Sequence, residues 1–240
     1  NEAVGQSAFL NIDLRSLLAM CNWDDHEEKS LTPASPAIRT SLQSPIRPER
    51  LATVLAALHG QIAAYHFCDL EQMDNWSISD GGIRELDQRQ GFDIGYFYVE
   101  ARGREVAAWS QPLVNSRTDG HASLACRLEG DCLEVLVRID SEPGLQTGKA
   151  LLPSYLRYPG ATSDQRPPLG KAIMQTTESD EGGRFYCDAS RYEIVLASGD
   201  DEAEGVWLRV SELKWLLANS NLCSIQLRGL ASMLLGYFVY

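Results

Sequence analysis

The dipeptide Gly130-Asp131 separates two runs, "ASLACRLEG" (122–130) and "CLEVLVRID" (132–140), and it constrains the fold more than any other feature of the chain. Gly-Asp between two leucine-bearing, strand-like runs supplies the backbone freedom of a tight hairpin, so two strands are expected to pair here antiparallel. "FDIGYFYVEA" (92–101) reads as an aromatic strand, and "RFYCDASRYEIVLAS" (184–198) offers another strand or a pair. Residues 48–68 read as a helix: Pro48 suits a first turn, and Leu51, Val54, Leu55, Leu58, Ile62, Tyr65 and His66 recur at steps of three and four. "SELKWLLANSNL" (211–222) reads as a second helix capped by Ser211, and the tail 229–240 as an apolar helix or strand. Residues 24–50, rich in proline, serine and charge, read as a linker or a strap over the surface. The expected fold is α+β: an α/β/α sandwich with a mixed, largely antiparallel sheet. An N-terminal extension (1–69) would precede the main domain (70–240).

With 240 residues, 44% hydrophobic and 22% charged, the composition is that of an ordinary soluble globule. The net charge of −12 argues against a nucleic-acid partner held through phosphates and against an anionic membrane surface. A small anion is still compatible with it, because a few local arginines can grip a phosphate inside an acidic protein. No run reaches the roughly 20 apolar residues of a membrane span, and the start at Asn1 shows no basic-then-apolar leader. Six scattered cysteines form no C-x-x-C pair and are expected to be reduced thiols in a cytoplasmic protein. The four histidines lack ligand-like spacing, and His59 and His66 are expected on the first helix as a surface and a half-buried residue. No P-loop, G-x-G-x-x-G, G-x-S-x-G or H-E-x-x-H occurs, so neither a metal nor a cofactor is expected.

Four stretches carry polar groups with no obvious packing purpose. In "REVAAWSQPLV" (104–114), Pro112 removes a backbone donor and marks a strand end or edge, which leaves Arg104, Trp109 and Gln111 unexplained. Glu142, in "IDSEPG" (139–144), stands at a strand end, where a carboxylate either projects into a cleft or is a solvated turn residue. "LLPSYLRYPG" (151–160) interleaves Tyr155, Arg157 and Tyr158 with apolar residues, and "GGRFYCDASRYE" (182–193) carries Arg184, Tyr186, Arg191, Tyr192 and Glu193. Such mixtures suit a sugar, a base or a diphosphate, and equally suit an edge strand.

In order along the chain, these pieces resemble one half of the NDP-hexose 2,3-dehydratase family. The resemblance rests on "LEQMDNWSISDGGI" (70–83), the R-E-V…W-x-Q-P block within 95–114, the EPG turn at 142–144 and "GVWLRVSELKWLLANSNLCSIQLRGLASML" (205–234). It implies a Nudix-like sandwich without the magnesium-binding box. It also implies an enzyme that removes water from C2 and C3 of a nucleotide-linked 4-keto-6-deoxyhexose, on the way to antibiotic deoxysugars. The ketone acidifies the C3 proton, so a base, an acid and an anion anchor suffice. The resemblance assigns Glu142 as base or acid, Tyr155 or Tyr186 as second proton carrier, Arg157 or Arg184 as anion clamp, and Arg104, Trp109 and Gln111 as pocket wall. Family members carry two such halves, so a homodimer is expected for a chain with room for one. Ser154 and Leu156 depart from the family's threonine and glutamine, which opens the sugar contacts of that segment to change. Two other readings fit the same residues: a dehydratase, cyclase or isomerase repurposed for a polyketide- or peptide-derived intermediate, and a non-catalytic binding or scaffold protein.

Overall fold

The computed structural model describes residues 34–59, 66–87, 91–103, 105–142, 145, 148–161, 167–168, 170–181, 183–197 and 204–238. Two helices come first, α1 (Ala34–Gln43) and α2 (Pro48–Leu58). Four strands then form a small antiparallel sheet in sequential order: β1 (Trp76–Ser79), β2 (Gly82–Glu85), β3 (Phe92–Glu100) and β4 (Ala108–Ser116). A larger sheet of seven strands follows: β5 (Gly120–Glu129), β6 (Cys132–Ser141), β7 (Lys149–Pro153), β8 (Tyr155–Arg157), β9 (Gly170–Ser179), β10 (Ala189–Ala197) and β11 (Val206–Arg209). Helices α3 (Val210–Asn219) and α4 (Ile225–Phe238) end the chain. The fold is therefore α+β, with a mixed sheet in which β5 and β10 are the parallel pair.

The expected hairpin is present: β5 and β6 pair antiparallel across Gly130, whose φ is 58°. Their pairing spans only Cys126–Glu129 against Cys132–Val135. Beyond it the two strands separate like the arms of a V. Strand β6 takes β7 as its partner, β5 takes β8, and Ser154 alone joins β7 to β8 at the crotch. There the buried Ser154 hydroxyl donates to the Ser123 carbonyl and accepts the Ala125 N–H, both at 2.8 Å. Those are the backbone groups that β5 strands by leaving β6, so one hydroxyl satisfies both.

Alternation along the strands sends Ala122, Leu124, Cys126, Leu133, Val135, Val137 and Ile194 to one face. That face packs with Ile38, Leu51, Val54, Leu58, Leu213, Leu216, Leu227 and Leu230 of the four helices into one core. Helix α1 occupies part of the stretch expected to be a strap. Its buried side consists of Ala37, Ile38 and Ser41, too small and too polar to show as an apolar period. Ser41 belongs in the core because its hydroxyl donates to Leu133 O (2.6 Å) and accepts the Val210 N–H (2.9 Å). Helix α2 stops at Leu58 rather than running to residue 68; His66 is exposed and outside regular structure, and Ile62 and Tyr65 lie outside the described residues. Ser211 is not the cap of α3. Arg209 holds that position, with its N–H donated to the Glu212 carboxylate, and Ser211 is buried in the first turn.

The small sheet meets the large one at the end where the V opens. Gly91 and Gly160 approach so closely, both at positive φ, that a Cβ on either would overlap the other's carbonyl. Asp188 accepts both the Ser116 N–H and the Ser116 hydroxyl, fixing the end of β4 to the start of β10.

Candidate active site

The face of the large sheet opposite the helices carries a row of polar side chains. Register places His121 beside Arg157 and beside Arg191, and Ser123 beside Tyr155 and beside Glu193. His121 Nε2 lies 2.8 Å from Glu193 Oε1 and 3.1 Å from the Ser123 hydroxyl, which itself donates to Glu193 Oε1 at 2.7 Å. Arg191 donates to Glu193 Oε2 at 2.6 Å and to Gln175 at 2.9 Å. Burial works to raise the pKa of Glu193, but the hydrogen bonds from Ser123 and His121 and the charge of Arg191 outweigh it. The carboxyl is held below its ordinary range and is ionised at neutral pH. The Tyr155 ring packs edge-on against the imidazole, with centroids 5.0 Å apart. Tyr155 is only 4% exposed, and no hydrogen bond occupies its hydroxyl among the described residues. On the same face Arg138 buries a guanidinium Nε that has no acceptor among the described residues, while its terminal nitrogen lies 3.6 Å from the Asp140 carboxylate.

The residues singled out from sequence fall into three places. Tyr155 and Arg157 belong to the polar row. Glu142 lies just beyond β6, at the mouth of the V, where its carboxylate accepts the Tyr158 hydroxyl at 2.7 Å. This bond spans from the β6 arm to the β8 arm. Burial first, and the adjacent Glu142 second, push the Tyr158 phenol well above its ordinary pKa. Trp109, Gln111, Arg184 and Tyr186 gather instead around the small sheet. Trp109 donates to the Gln111 carbonyl oxygen, Gln111 donates to Gly183 O (2.6 Å), and Tyr186 stacks on Phe97. Arg184 is exposed and pairs with Glu181 at 3.4 Å. Gln111 thus ties the turn before β10 to β4, an edge strand as Pro112 suggested. No described contact joins this group to Glu142 or Tyr155, and Arg104 lies outside the described residues. The two departures sit in scaffold positions: Ser154 at the crotch of the V, and Leu156 in the core under the helices.

His121 and Ser123 were not singled out from the sequence, and Arg191 and Glu193 stood out only as part of the 182–193 mixture, without an assigned role. The two pairs lie some 70 positions apart on two strands, and only the parallel β5–β10 pairing makes them neighbours. Spacing within one strand gives no sign of that. Among the described residues no group of three or more His, Cys, Asp or Glu side chains is placed to hold a metal, and Cys68, Cys126, Cys132, Cys187 and Cys223 are free thiols. No described helix is long and apolar enough to cross a membrane.

A hydrogen-bonded imidazole and carboxylate beside an unpaired phenol, with guanidinium groups around them, can move protons at a small polar molecule. The chain belongs to the NDP-hexose 2,3-dehydratase family, whose family model matches residues 59–234. It is similar to dTDP-4-dehydro-6-deoxy-alpha-D-glucopyranose 2,3-dehydratase of Saccharopolyspora spinosa, with 26% identity over 255 residues, 95% of this chain and 52% of that protein. The protein of the same name from Streptomyces violaceoruber is 30% identical over 174 residues, 62% of this chain and 39% of its own. The chain thus spans about half the length of the first relative, and less of the second.

Proposed function

We propose that this chain provides a dehydration site for a nucleoside-diphosphate-linked 4-keto-6-deoxyhexose in deoxysugar biosynthesis, an antibiotic pathway in the family's usual setting. The reading is carried by one observation: every residue of the polar row falls within the stretch matched to the family, 59–234. In this reading the Tyr155 hydroxyl protonates the departing C2 oxygen, Arg157 faces the diphosphate, and Glu142 binds the sugar at the mouth of the V. Arg138, with its unpaired Nε, stands ready for an anionic or carbonyl oxygen on the same face. A Nudix-type sandwich for residues 70–240 is part of the proposal, supported by the mixed sheet with its parallel inner pair.

The partner in this proposal is a second copy of the chain, seated on the face of the small sheet that exposes Ile78, Tyr96 and Tyr98. The test of activity is mass spectrometry of the substrate after incubation, which should show loss of one water. Tyr155→Phe is expected to lower kcat by about 10²-fold or more, the scale of a lost proton-transfer group. Glu142→Gln is expected to lower kcat/KM at least about tenfold, the loss of one charge-assisted hydrogen bond. An unchanged rate removes that residue from the site. A folded chain that neither binds nor dehydrates the substrate overturns the reading.

A further inference from the structure

We infer that His121 is the base that removes the C3 proton, acting through Nδ1, with Glu193 as the residue that positions it. The inference rests on the dehydration reading above and assigns the step that reading leaves open.

The assignment follows from counting hydrogens. An ionised carboxylate only accepts, so whatever lies 2.8 Å from Glu193 Oε1 must donate to it. Ser123 has one hydroxyl hydrogen, and it is already given to Glu193. His121 Nε2 therefore carries a proton. In the neutral imidazole the lone pair must then reside on Nδ1, which bonds to nothing among the described residues. The face of the large sheet opposite the helices thus presents an imidazole of fixed tautomer and orientation, locked from behind by a carboxylate that Arg191 and Ser123 hold in turn. A general base needs this arrangement, because the carboxylate stabilises the imidazolium once the proton has moved.

Location favours His121 over Glu142. Glu142 lies beyond the end of β6, and its carboxylate is engaged by Tyr158. His121 is inside the face, 14% exposed by side chain, with its ring against Tyr155. The step balances without any co-reactant. His121 Nδ1 takes the C3 proton, and the C–H electron pair moves into the C4 carbonyl as an enolate. The pair returns to form the C2–C3 double bond as the C2–O bond breaks, and Tyr155 protonates the departing hydroxide to water. Proton transfer from the imidazolium to the Tyr155 phenolate restores both groups, whose rings are adjacent.

Two measurements on the full chain test this. The first is ¹⁵N NMR of the His121 ring in the free protein at neutral pH, a readout independent of turnover. The expected result is a protonated Nε2 and a bare Nδ1, with that preference lost in Glu193→Gln. A proton on Nδ1, or an unchanged tautomer in Glu193→Gln, overturns the dyad. The second is exchange of the C3 hydrogen with D₂O in the 4-keto-6-deoxyhexose nucleotide, followed together with water loss. His121→Gln is expected to lose both by 10²-fold or more while calorimetry shows retained substrate binding. Glu193→Gln should show an intermediate loss, mostly in kcat. An active wild type with an equally active, folded His121→Gln overturns the base role alone. A wild type that neither binds nor exchanges overturns the dehydration reading and the base role with it.

Discussion

Arg47 shows how much of the scaffold can depend on one side chain. Its guanidinium forms a two-pronged contact with the Glu212 carboxylate, both prongs at 2.7 Å, and a third contact at 3.0 Å with Glu134. Both carboxylates are almost entirely buried. Burial alone would raise the pKa of Glu212, but the hydrogen bonds from Arg47 and from the Arg209 backbone more than offset it. The native pKa therefore lies below the ordinary value. Such a group contributes stability above its unfolded pKa of about 4.3 and loses it as the pH falls through the native value. Arg47→Met leaves two buried carboxylates short of a partner, although Glu134 keeps Arg127 at 2.8 Å. The substitution is expected to cost about 3 kcal/mol at neutral pH. Urea titrations should show the gap between variant and wild type narrowing as the pH drops below about 4, where the wild type loses the same contribution. A gap independent of pH would show that Arg47 acts through packing alone.

The strands that a short window can reveal were legible: the β5–β6 hairpin from Gly130-Asp131, β3 from its aromatics, and β4 as an edge from Pro112. Tyr155 and Arg157 were found by composition, and both belong to the polar row. Windows failed where the deciding contact was distant in sequence. Helix α1 is held by Ser41 bonding to Leu133 and Val210, more than 90 positions away, so its sequence reads as a strap. His121 and Glu193 meet only through parallel pairing, which leaves no local trace. The V of β5 and β6 is equally invisible, because its key residue is a lone serine. Ser154→Ala removes the one group that satisfies Ala125 N–H and Ser123 O in a buried site. A loss of about 1–3 kcal/mol is expected in chemical denaturation, the scale of a buried donor left unpaired. Since the crotch underlies Tyr155, kcat should fall with it; full stability in the alanine variant would mean the arms are held apart by other contacts.

The whole molecule has two sheets with different relations to solvent. The large one buries a face under four helices, whereas the small one shows large apolar side chains to solvent. Alternation places Ile78, Ile94, Tyr96 and Tyr98 on one face, with Ile78 51%, Tyr96 63% and Tyr98 68% exposed. Tyrosines suit a surface that is to be covered, since each brings a broad apolar ring and a hydroxyl that tolerates the rim. A second copy of the same unit is the occupant we propose, because the relatives this chain matches are about twice its length. Isologous pairing would set Tyr96 and Tyr98 of one copy against the same face of the other, on the side of the small sheet away from Phe97 and Tyr186. Light scattering at micromolar concentration should then give twice the chain mass. The Tyr96→Asp/Tyr98→Asp double variant should give a monomer with unchanged circular dichroism, since both positions are already in water within one copy. A wild-type monomer refutes the pairing. A dimer that survives the double variant moves the interface elsewhere and leaves this face without its proposed occupant.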